Sequence, residues 1–140
     1  MQQTLAILKP DTVAAGNAGK VLAHLEAQGF KIRGLRVLHL TSAQAEAFYA
    51  VHRERAFFAS LVAFMTEGPV VPVALERDNA VAHLREVMGA TDVAKAAPGT
   101  VRNLFGTSIE RNAIHGSDSA ENAALELAFF FSRTELLAAR

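Results

Sequence analysis

The chain has 140 residues, with 14 basic and 14 acidic side chains, no cysteine and 51% hydrophobic residues. This length predicts a single domain over 1–140, because one core buries roughly two thirds of the surface of an unfolded chain of this size. The lack of cysteine excludes disulfides, thiolate zinc sites and thiol catalysis. A formal net charge of zero disfavours nucleic acid and anionic membranes as partners, whereas a small phosphate compound could be held by a few placed cations.

The N-terminal residues lack the basic start and the long apolar run of a signal peptide. No apolar stretch approaches the roughly 18 uninterrupted residues of a membrane-spanning helix. We therefore expect a soluble, cytoplasmic protein without a membrane segment.

The chain begins with an alternation of short apolar runs and helical patterns. An apolar run over 5–8 that stops before Pro10 predicts a first, central strand. Apolar residues at helical spacing predict a helix over 18–28. The β-branched, partly alternating pattern of 30–40 predicts a long second strand.

The middle of the chain predicts a helical hairpin followed by a strand. Ser42 is expected to cap a helix over 42–49, and a second helix begins near Phe57 and ends before the Gly-Pro pair at 68–69. The apolar run 70–75 predicts a third strand. Its proline favours an edge or irregular position in the sheet, because proline cannot donate a ladder hydrogen bond.

The last third of the chain contains a predicted helix over 80–88 and a long loop over 89–117. Loops of this length are often functional. A helix over 119–127 then leads into a short aromatic strand over 128–131, and Thr134 is expected to cap a closing helical turn.

This order of elements contains two β-α-β halves. Such an arrangement is typical of the α+β ferredoxin-like βαββαβ sandwich, with a four-stranded antiparallel sheet and helices over one face. The glycines of 16–20 superficially resemble a phosphate-binding P-loop. However, Ala14 stands in place of its first glycine and Val21 in place of its Ser or Thr, so we predict no P-loop.

His115 is the candidate nucleophile, at the end of the long loop and before a helix that Asp118 or Ser119 is expected to cap. With a pKa near 6.5, roughly three quarters of an unperturbed imidazole is neutral at pH 7 and able to attack phosphorus. Backbone donors at a helix start favour an incoming phosphoryl group. A carboxylate should hold the second ring nitrogen, and Glu126 is the nearest candidate, with Glu121 as the alternative.

Residues 112–119, NAIHGSDS, resemble the active-site signature of the nucleoside diphosphate kinase family. The resemblance continues through 7–11, 57–58, 68–71 and 98–102, and so covers almost the whole chain. It implies that a nucleoside triphosphate such as ATP phosphorylates His115. A second nucleoside diphosphate then collects the phosphoryl group in a ping-pong reaction that maintains the pools of ribo- and deoxyribonucleoside triphosphates.

The resemblance also implies a set of phosphate and sugar contacts. Arg85, Arg102, Thr91 and His52 match positions that contact phosphate in the family. Lys9 matches a lysine that acts on the sugar hydroxyls and the phosphates. Asn112 matches the residue that hydrogen-bonds the sugar 3′-hydroxyl, for which an amide that both donates and accepts is suited.

The resemblance implies an apolar site for the base as well. Phe57 matches the ring that stacks on the base, with Leu61 one helical turn further on and Ile109 as the opposing wall. Stacking without hydrogen bonds to the base edges predicts tolerance of base identity. Tyr49 matches a tyrosine whose hydroxyl supports the site near the histidine.

Magnesium is expected to arrive on the substrate phosphates, without a dedicated protein cage, although Asp118 could approach the hydrated ion. Family members are oligomers, which predicts a homotetramer or homohexamer. The sheet lacks a basic, aromatic strand motif for nucleic acid. Because fold alone does not establish turnover, a non-catalytic nucleotide sensor or scaffold on the same fold is the alternative function.

The sequence departs from the family pattern at three positions. Leu104 occupies the place of an aspartate, and Ala56 and Val93 stand where many members have proline. These changes affect local loop structure or subunit contacts and remove no group to which the family assigns chemistry. We therefore expect an active enzyme.

Overall fold

The computed structural model describes residues 1–138 and has a four-stranded antiparallel sheet at its centre. The strands are β1 (Gln2–Leu8), β2 (Lys31–Leu35), β3 (Val71–Arg77) and β4 (Ile114–Gly116), in the order β2-β3-β1-β4. β1 pairs with β3 along its whole length and with β4 on its other side, where Ile7 lies opposite His115. The predicted central position of the first strand is therefore confirmed.

Helices connect these strands and pack on the sheet. The α-helices are α1 (Pro10–Ala14), α2 (Ala18–Ala27), α3 (Ser42–Phe48), α4 (Phe58–Met65), α5 (Ala80–Met88), α6 (Val101–Phe105), α7 (Ala120–Phe130) and α8 (Arg133–Ala138), with 3-10 turns at Ala50–His52 and Val93–Lys95. The helices predicted over 18–28, 42–49 and 80–88 match α2, α3 and α5 closely, whereas α1 and α6 were not predicted. Within residues 1–138, every helix is too short or too polar to cross a membrane.

Both faces of the sheet are covered, so the expectation of helices over one face is wrong. Successive side chains of a strand point to opposite faces. Ala6 and Leu8 accordingly pack in one core cluster with residues of α2 and α5, such as Leu84. Leu5 and Ile7 pack in a second cluster with residues of α3, α4 and α7. The uninterrupted apolar run of β1 reflects this burial on both sides.

The proline predicted an edge or irregular position for this strand, and the edge position is wrong because β3 lies between β2 and β1. The carbonyl of Pro72 accepts a hydrogen bond from the backbone N–H of Arg36 at 3.2 Å. In an antiparallel ladder the N–H and C=O of one residue point to the same neighbour. The nitrogen of Pro72 therefore faces the chain just after β2 has ended at Leu35, where a missing donor costs little.

The second strand is shorter than the predicted range 30–40. Its register with β3 shifts between Ile32 and Gly34, and beyond Leu35 a single bridge joins Leu38 to Val70. Gly34 has no room for a larger residue, because a Cβ atom there would lie 2.8 Å from the Phe131 ring.

The fourth strand was predicted in the wrong place. Residues 128–130 continue α7, and the fourth strand is β4, inside the predicted loop 89–117. Leu127 and Phe130 lie one helical turn apart and are both buried, so Phe130 belongs to the buried stripe of a helix, whereas Phe129 is exposed.

Two of the predicted helix caps are also displaced. Thr41, rather than Ser42, caps α3: its hydroxyl accepts from the Gln44 N–H at 3.1 Å. The closing helix α8 is present, but the hydroxyl that accepts from its first turn, from the Glu135 N–H at 3.1 Å, belongs to Ser132 rather than Thr134. In each case the cap is the residue before the helix, as capping geometry requires.

Candidate active site

The His115 side chain is held by a carboxylate from α7. Its Nε2 lies 2.7 Å from Glu126 Oε1, and the Ser117 hydroxyl donates to the same oxygen at 2.8 Å. Ser119 caps α7 by accepting from the Asn122 N–H at 3.1 Å. Glu121 is exposed in the first turn of this helix. Of the two candidate orienting carboxylates, the fold therefore brings Glu126 to the ring.

The second nitrogen of His115 is free. A carboxylate only accepts, so Nε2 carries the hydrogen and Nδ1 keeps its lone pair. Nδ1 makes no hydrogen bond with any residue of 1–138, and the side chain is 20% exposed. The rings of Phe48 and Tyr49 pack edge-on against the imidazole, with centroids 5.4 and 6.1 Å away. The ring is thus fixed in orientation with one nucleophilic atom available.

A strained turn precedes His115. Ala113 has a φ of 75°, and the Ile114 N–H donates to the Asn112 carbonyl at 2.9 Å. This is the pattern of a classic γ-turn, a rare conformation that persists only where the surroundings enforce it. Here the Ala113 N–H donates to Asp11 Oδ2 at 3.1 Å, and the Thr12 hydroxyl donates to the Ala113 carbonyl at 2.9 Å.

Asp11 and Thr12 therefore position the segment that leads into His115, a role that the sequence did not indicate. Burial raises the pKa of the Asp11 carboxyl, while its hydrogen bond from the Ala113 N–H acts in the opposite direction. The segment 7–11, which resembles the family, contains Asp11, but only Lys9 in this segment was predicted to have a role.

Lys9 and Asn112 form a buried pair. The Lys9 ammonium donates to Asn112 Oδ1 at 2.8 Å. Burial, and secondarily the charge of Arg102, lowers the pKa of Lys9 to about 8. The Asn112 amide nitrogen donates to the carbonyls of Thr91 at 3.2 Å and Ile109 at 3.0 Å. The amide donors are thus used within the protein, so Asn112 offers a ligand its oxygen as an acceptor.

Two guanidinium groups flank the backbone of His115. Arg102 is 5% exposed and donates to the carbonyls of Ile114 at 2.8 Å and Gly89 at 3.1 Å. Arg85 donates to the Gly116 carbonyl at 3.3 Å. Burial and the neighbouring charge of Arg85 lower the pKa of Arg102 to about 10. Positive charge therefore lies next to the residues on either side of His115 in the chain.

A cavity of about 490 Å³ lies beside Arg85, and neither Arg102 nor His115 lines it. It is lined by Arg85 and Thr91, together with Lys95 and Thr100. Thr91 is exposed and lines the same cavity as Arg85.

The predicted base site has two exposed apolar walls. Phe57, at the start of α4, is 49% exposed, and its ring centroid lies 5.5 Å from that of His52. Ile109 is 64% exposed, in the segment that the Ser60–Glu110 hydrogen bond joins to α4. Leu61 is partly buried against the core. Phe58 also packs on the core, which explains why only the first ring of the Phe-Phe pair faces outward.

Tyr49 contributes its ring rather than a visible hydroxyl contact. Its oxygen is buried and has no hydrogen-bond partner among residues 1–138. Burial, and then the negative charge of Glu126, raises the pKa of this phenol above its usual range. A supporting role for the hydroxyl stays a prediction.

Asp118 lies at the entrance to α7, where its Oδ1 accepts from the Asn122 side chain at 2.6 Å. That hydrogen bond is the main reason why the pKa of Asp118 is lowered, so the group is an anion at neutral pH. Within residues 1–138, His, Asp and Glu side chains form no cluster of three that could bind a metal ion by itself.

Comparison with known proteins decides the family. The nucleoside diphosphate kinase family model matches residues 2–136. The chain belongs to the nucleoside diphosphate kinase family. The nucleoside diphosphate kinase of Chlamydia abortus is 54% identical over 137 residues, which are 98% of this chain and 97% of the relative. That of Wolinella succinogenes is 55% identical over 136 residues, 97% of this chain and 99% of the relative.

Solved nucleoside diphosphate kinases have the same fold. The enzyme of Aquifex aeolicus superposes with a TM-score of 0.93 at 45% identity, covering 96% of this chain and 97% of the other. A halophilic enzyme from Halobacterium salinarum, solved in complex with CDP, gives a TM-score of 0.91 at 38% identity, covering 96% and 90%. The α+β fold is confirmed, and the activity is that of a nucleoside diphosphate kinase, a phosphotransferase of nucleotide metabolism.

Proposed function

We propose that His115 is the nucleophile of a ping-pong transfer from a nucleoside triphosphate such as ATP to a nucleoside diphosphate. The observation that carries this proposal is the imidazole itself, with Nε2 held at 2.7 Å by Glu126 and Nδ1 free. A general base is unnecessary, because the attacking nitrogen already has its lone pair.

In the first half-reaction, the Nδ1 lone pair attacks the terminal phosphorus of the triphosphate. The bond from this phosphorus to the bridging oxygen breaks, and the nucleoside diphosphate leaves with the electron pair. In the second half-reaction, a terminal phosphate oxygen of another nucleoside diphosphate attacks the same phosphorus. The N–P bond breaks, and Nδ1 recovers its lone pair.

The protein contributes chiefly alignment and charge neutralisation, as phosphoryl transfer requires. Phosphorylation makes the ring cationic, and the Glu126 carboxylate stabilises that charge through Nε2. Arg85 and Arg102 flank the His115 backbone and neutralise the phosphate oxygens. Thr91 and His52 add donors on either side of the site.

The nucleoside would lie between Phe57 and Ile109, with Leu61 beneath the base. The Asn112 oxygen, which the Lys9 ammonium contacts at 2.8 Å, is the natural acceptor for the sugar 3′-hydroxyl. Because this contact leaves the 2′ position unused, both ribose and deoxyribose fit. Tyr49 keeps the imidazole in place through its ring and is proposed to support the site.

The site is compatible with Mg²⁺ that arrives on the substrate. Asp118 presents an anionic carboxylate beside Arg85 and His115, and Mg²⁺ commonly uses one or two carboxylates together with phosphate oxygens and water. When bound, the ion would neutralise phosphate charge.

We also propose a homo-oligomer, either a tetramer or a hexamer. The outer edge of β2 is unpaired in the sheet, and Leu35 and Val37 beside it are exposed. Such an edge is a template for pairing with another chain, and light scattering would give the number of subunits. The single domain over 1–140 and the cytoplasmic location stay predictions, as does the expectation that nucleic acid and membranes are not partners.

Initial-velocity kinetics test the proposal. Double-reciprocal plots for the donor triphosphate at several diphosphate concentrations should be parallel, since the first product leaves before the second substrate binds. Intersecting lines would contradict the phosphorylated intermediate. Nucleotide binding without triphosphate formation would instead favour the sensor or scaffold function.

A further inference from the structure

Two polar bridges connect α4 and the chain just after it to the segment that precedes β4. The Ser60 hydroxyl donates to Glu110 Oε2 at 2.7 Å. The Arg111 guanidinium forms a two-pronged ion pair with Glu67, with N–O distances of 2.8 and 3.1 Å. These four residues, hereafter the clasp, join parts of the chain 44 and 50 positions apart.

The clasp lies on both walls of the proposed nucleoside cleft. Ser60 is next to Leu61 and one turn after Phe57, so it belongs to the α4 wall. Glu110 follows Ile109 directly, and Arg111 precedes Asn112. The Ser60–Glu110 bridge therefore links the helix of Leu61 to the segment of Ile109, and the Arg111–Glu67 pair joins the residue before Asn112 to the chain just after α4.

The segment that carries Ile109 is itself a preformed turn. The Arg111 carbonyl accepts from the N–H groups of Thr107 at 2.8 Å and Ser108 at 3.2 Å. The Arg111 N–H donates to the Ser108 hydroxyl at 3.0 Å. Because the turn is closed on itself, its distance from α4 depends on the contacts between the two, and the clasp provides them.

A single exposed ion pair contributes little, because solvent screens it and two long side chains must be ordered. The clasp differs in three respects. The Arg111–Glu67 pair has two parallel hydrogen bonds, which fixes its geometry. The Arg111 guanidinium also lies over the ring of buried Phe64, 4.8 Å from its centroid. Finally, the Ser60–Glu110 bridge is a second, independent link.

We propose that the clasp sets the separation of the two walls of the nucleoside cleft and thereby determines how tightly the nucleoside is held. This inference rests on the proposed function, because it requires the nucleoside to bind between Phe57 and Ile109. The clasp residues are positioning residues: they are placed to act on the nucleoside through the walls and not on the phosphorus.

The test compares substrates with and without a nucleoside. The double variant Ser60→Ala/Glu67→Gln removes the donor hydroxyl of one bridge and the negative charge of the other without adding bulk. Its KM for ADP should rise about five-fold. Its rate of His115 phosphorylation by phosphoramidate, a donor without base or sugar, should stay within two-fold of wild type. Glu26→Gln, an equivalent change at an exposed position on α2, is the matched control and should change neither quantity.

Reversal of the ion pair supplies a rescue. The swap Glu67→Arg/Arg111→Glu restores the ion pair but not the contact of Arg111 with the Phe64 ring, so its KM should lie below that of Arg111→Glu alone, which should exceed the wild-type value. A double variant that loses reaction with phosphoramidate as well would show general damage and overturn the proposal.

Phe57→Ala separates this inference from the proposed function. If Phe57→Ala raises the KM for ADP but the double clasp variant leaves it unchanged, the clasp proposal alone fails. If Phe57→Ala also leaves the KM unchanged, the nucleoside does not occupy this cleft, and both proposals fail.

Discussion

Replacement of Glu126 by glutamine tests how the enzyme stabilises the phosphorylated ring. Glu126 Oε1 lies 2.7 Å from His115 Nε2 and accepts from Ser117 at 2.8 Å. The amide keeps an oxygen acceptor but loses the negative charge. Hydrogen bonds to charged groups contribute roughly 1.5–3 kcal/mol and neutral ones roughly 0.5–1.5 kcal/mol. Glu126→Gln should therefore reduce the stabilisation of the cationic His115 ring by about 1.4 kcal/mol, which corresponds to about a ten-fold lower rate of phosphorylation.

The assay is single-turnover phosphorylation of the enzyme by ATP, measured by rapid quench. Glu126→Gln should lower the rate constant of this step about ten-fold. Ser117→Ala retains the His115–Glu126 contact and should lower it by no more than about three-fold. Circular dichroism checks that both variants are folded. A Glu126→Gln rate within two-fold of wild type would refute the stabilising role of the carboxylate.

Two further predictions concern Lys9 and Ala113. Burial and Arg102 lower the pKa of Lys9 to about 8, so kcat/KM should fall as pH rises through about 8. Lys9→Met should have a lower kcat/KM that does not change over this pH range. The pKa of Lys9 in the folded state lies below the unfolded value of 10.5, so the folded state releases this proton at lower pH than the unfolded state. The contribution of Lys9 to the free energy of unfolding, measured by urea titration, should therefore increase from about pH 8 toward 10.5. A decrease over this range would contradict the buried pair. Ala113→Gly should relieve the backbone strain of a φ of 75°, which costs about 1 kcal/mol. The Tm measured by calorimetry should therefore rise by about 4 °C. A lower Tm would mean that the turn is not strained.

The sequence predicts the sheet centre and most helices because their patterns are long and unambiguous. Four consecutive apolar residues before Pro10 identify β1, and amphipathic spacing identifies α2 and α5. β4 could not be found in this way. It has three residues, too few for an alternating pattern, and it is a strand because β1 offers a partner for Ile114 and Gly116.

The aromatic run 128–131 was misassigned because bulky aromatic residues favour strands when no partner is known. In the structure, the helical face of α7 gives Phe130 a buried place in the core. Local preference was overridden by tertiary packing, which a single sequence does not contain.

Much of the candidate site followed from the residues and from the family signature, whereas its internal contacts did not. The sequence nominated Glu126 for His115 but left Glu121 open, and the fold brings Glu126 to the ring. The strained Ala113 turn depends on Asp11 and Thr12, about a hundred positions away. The nearly complete burial of Arg102 likewise depends on the carbonyls that surround it and has no local sequence signal.

The central claim is that the phosphoryl group resides on His115 during turnover. Incubation with ATP labelled in the γ-phosphate should give acid-labile phosphoprotein that discharges onto added nucleoside diphosphate. The label should be absent from His115→Ala and retained in the control His24→Ala, which lies on α2 away from the site. Label that persists in His115→Ala would contradict the account.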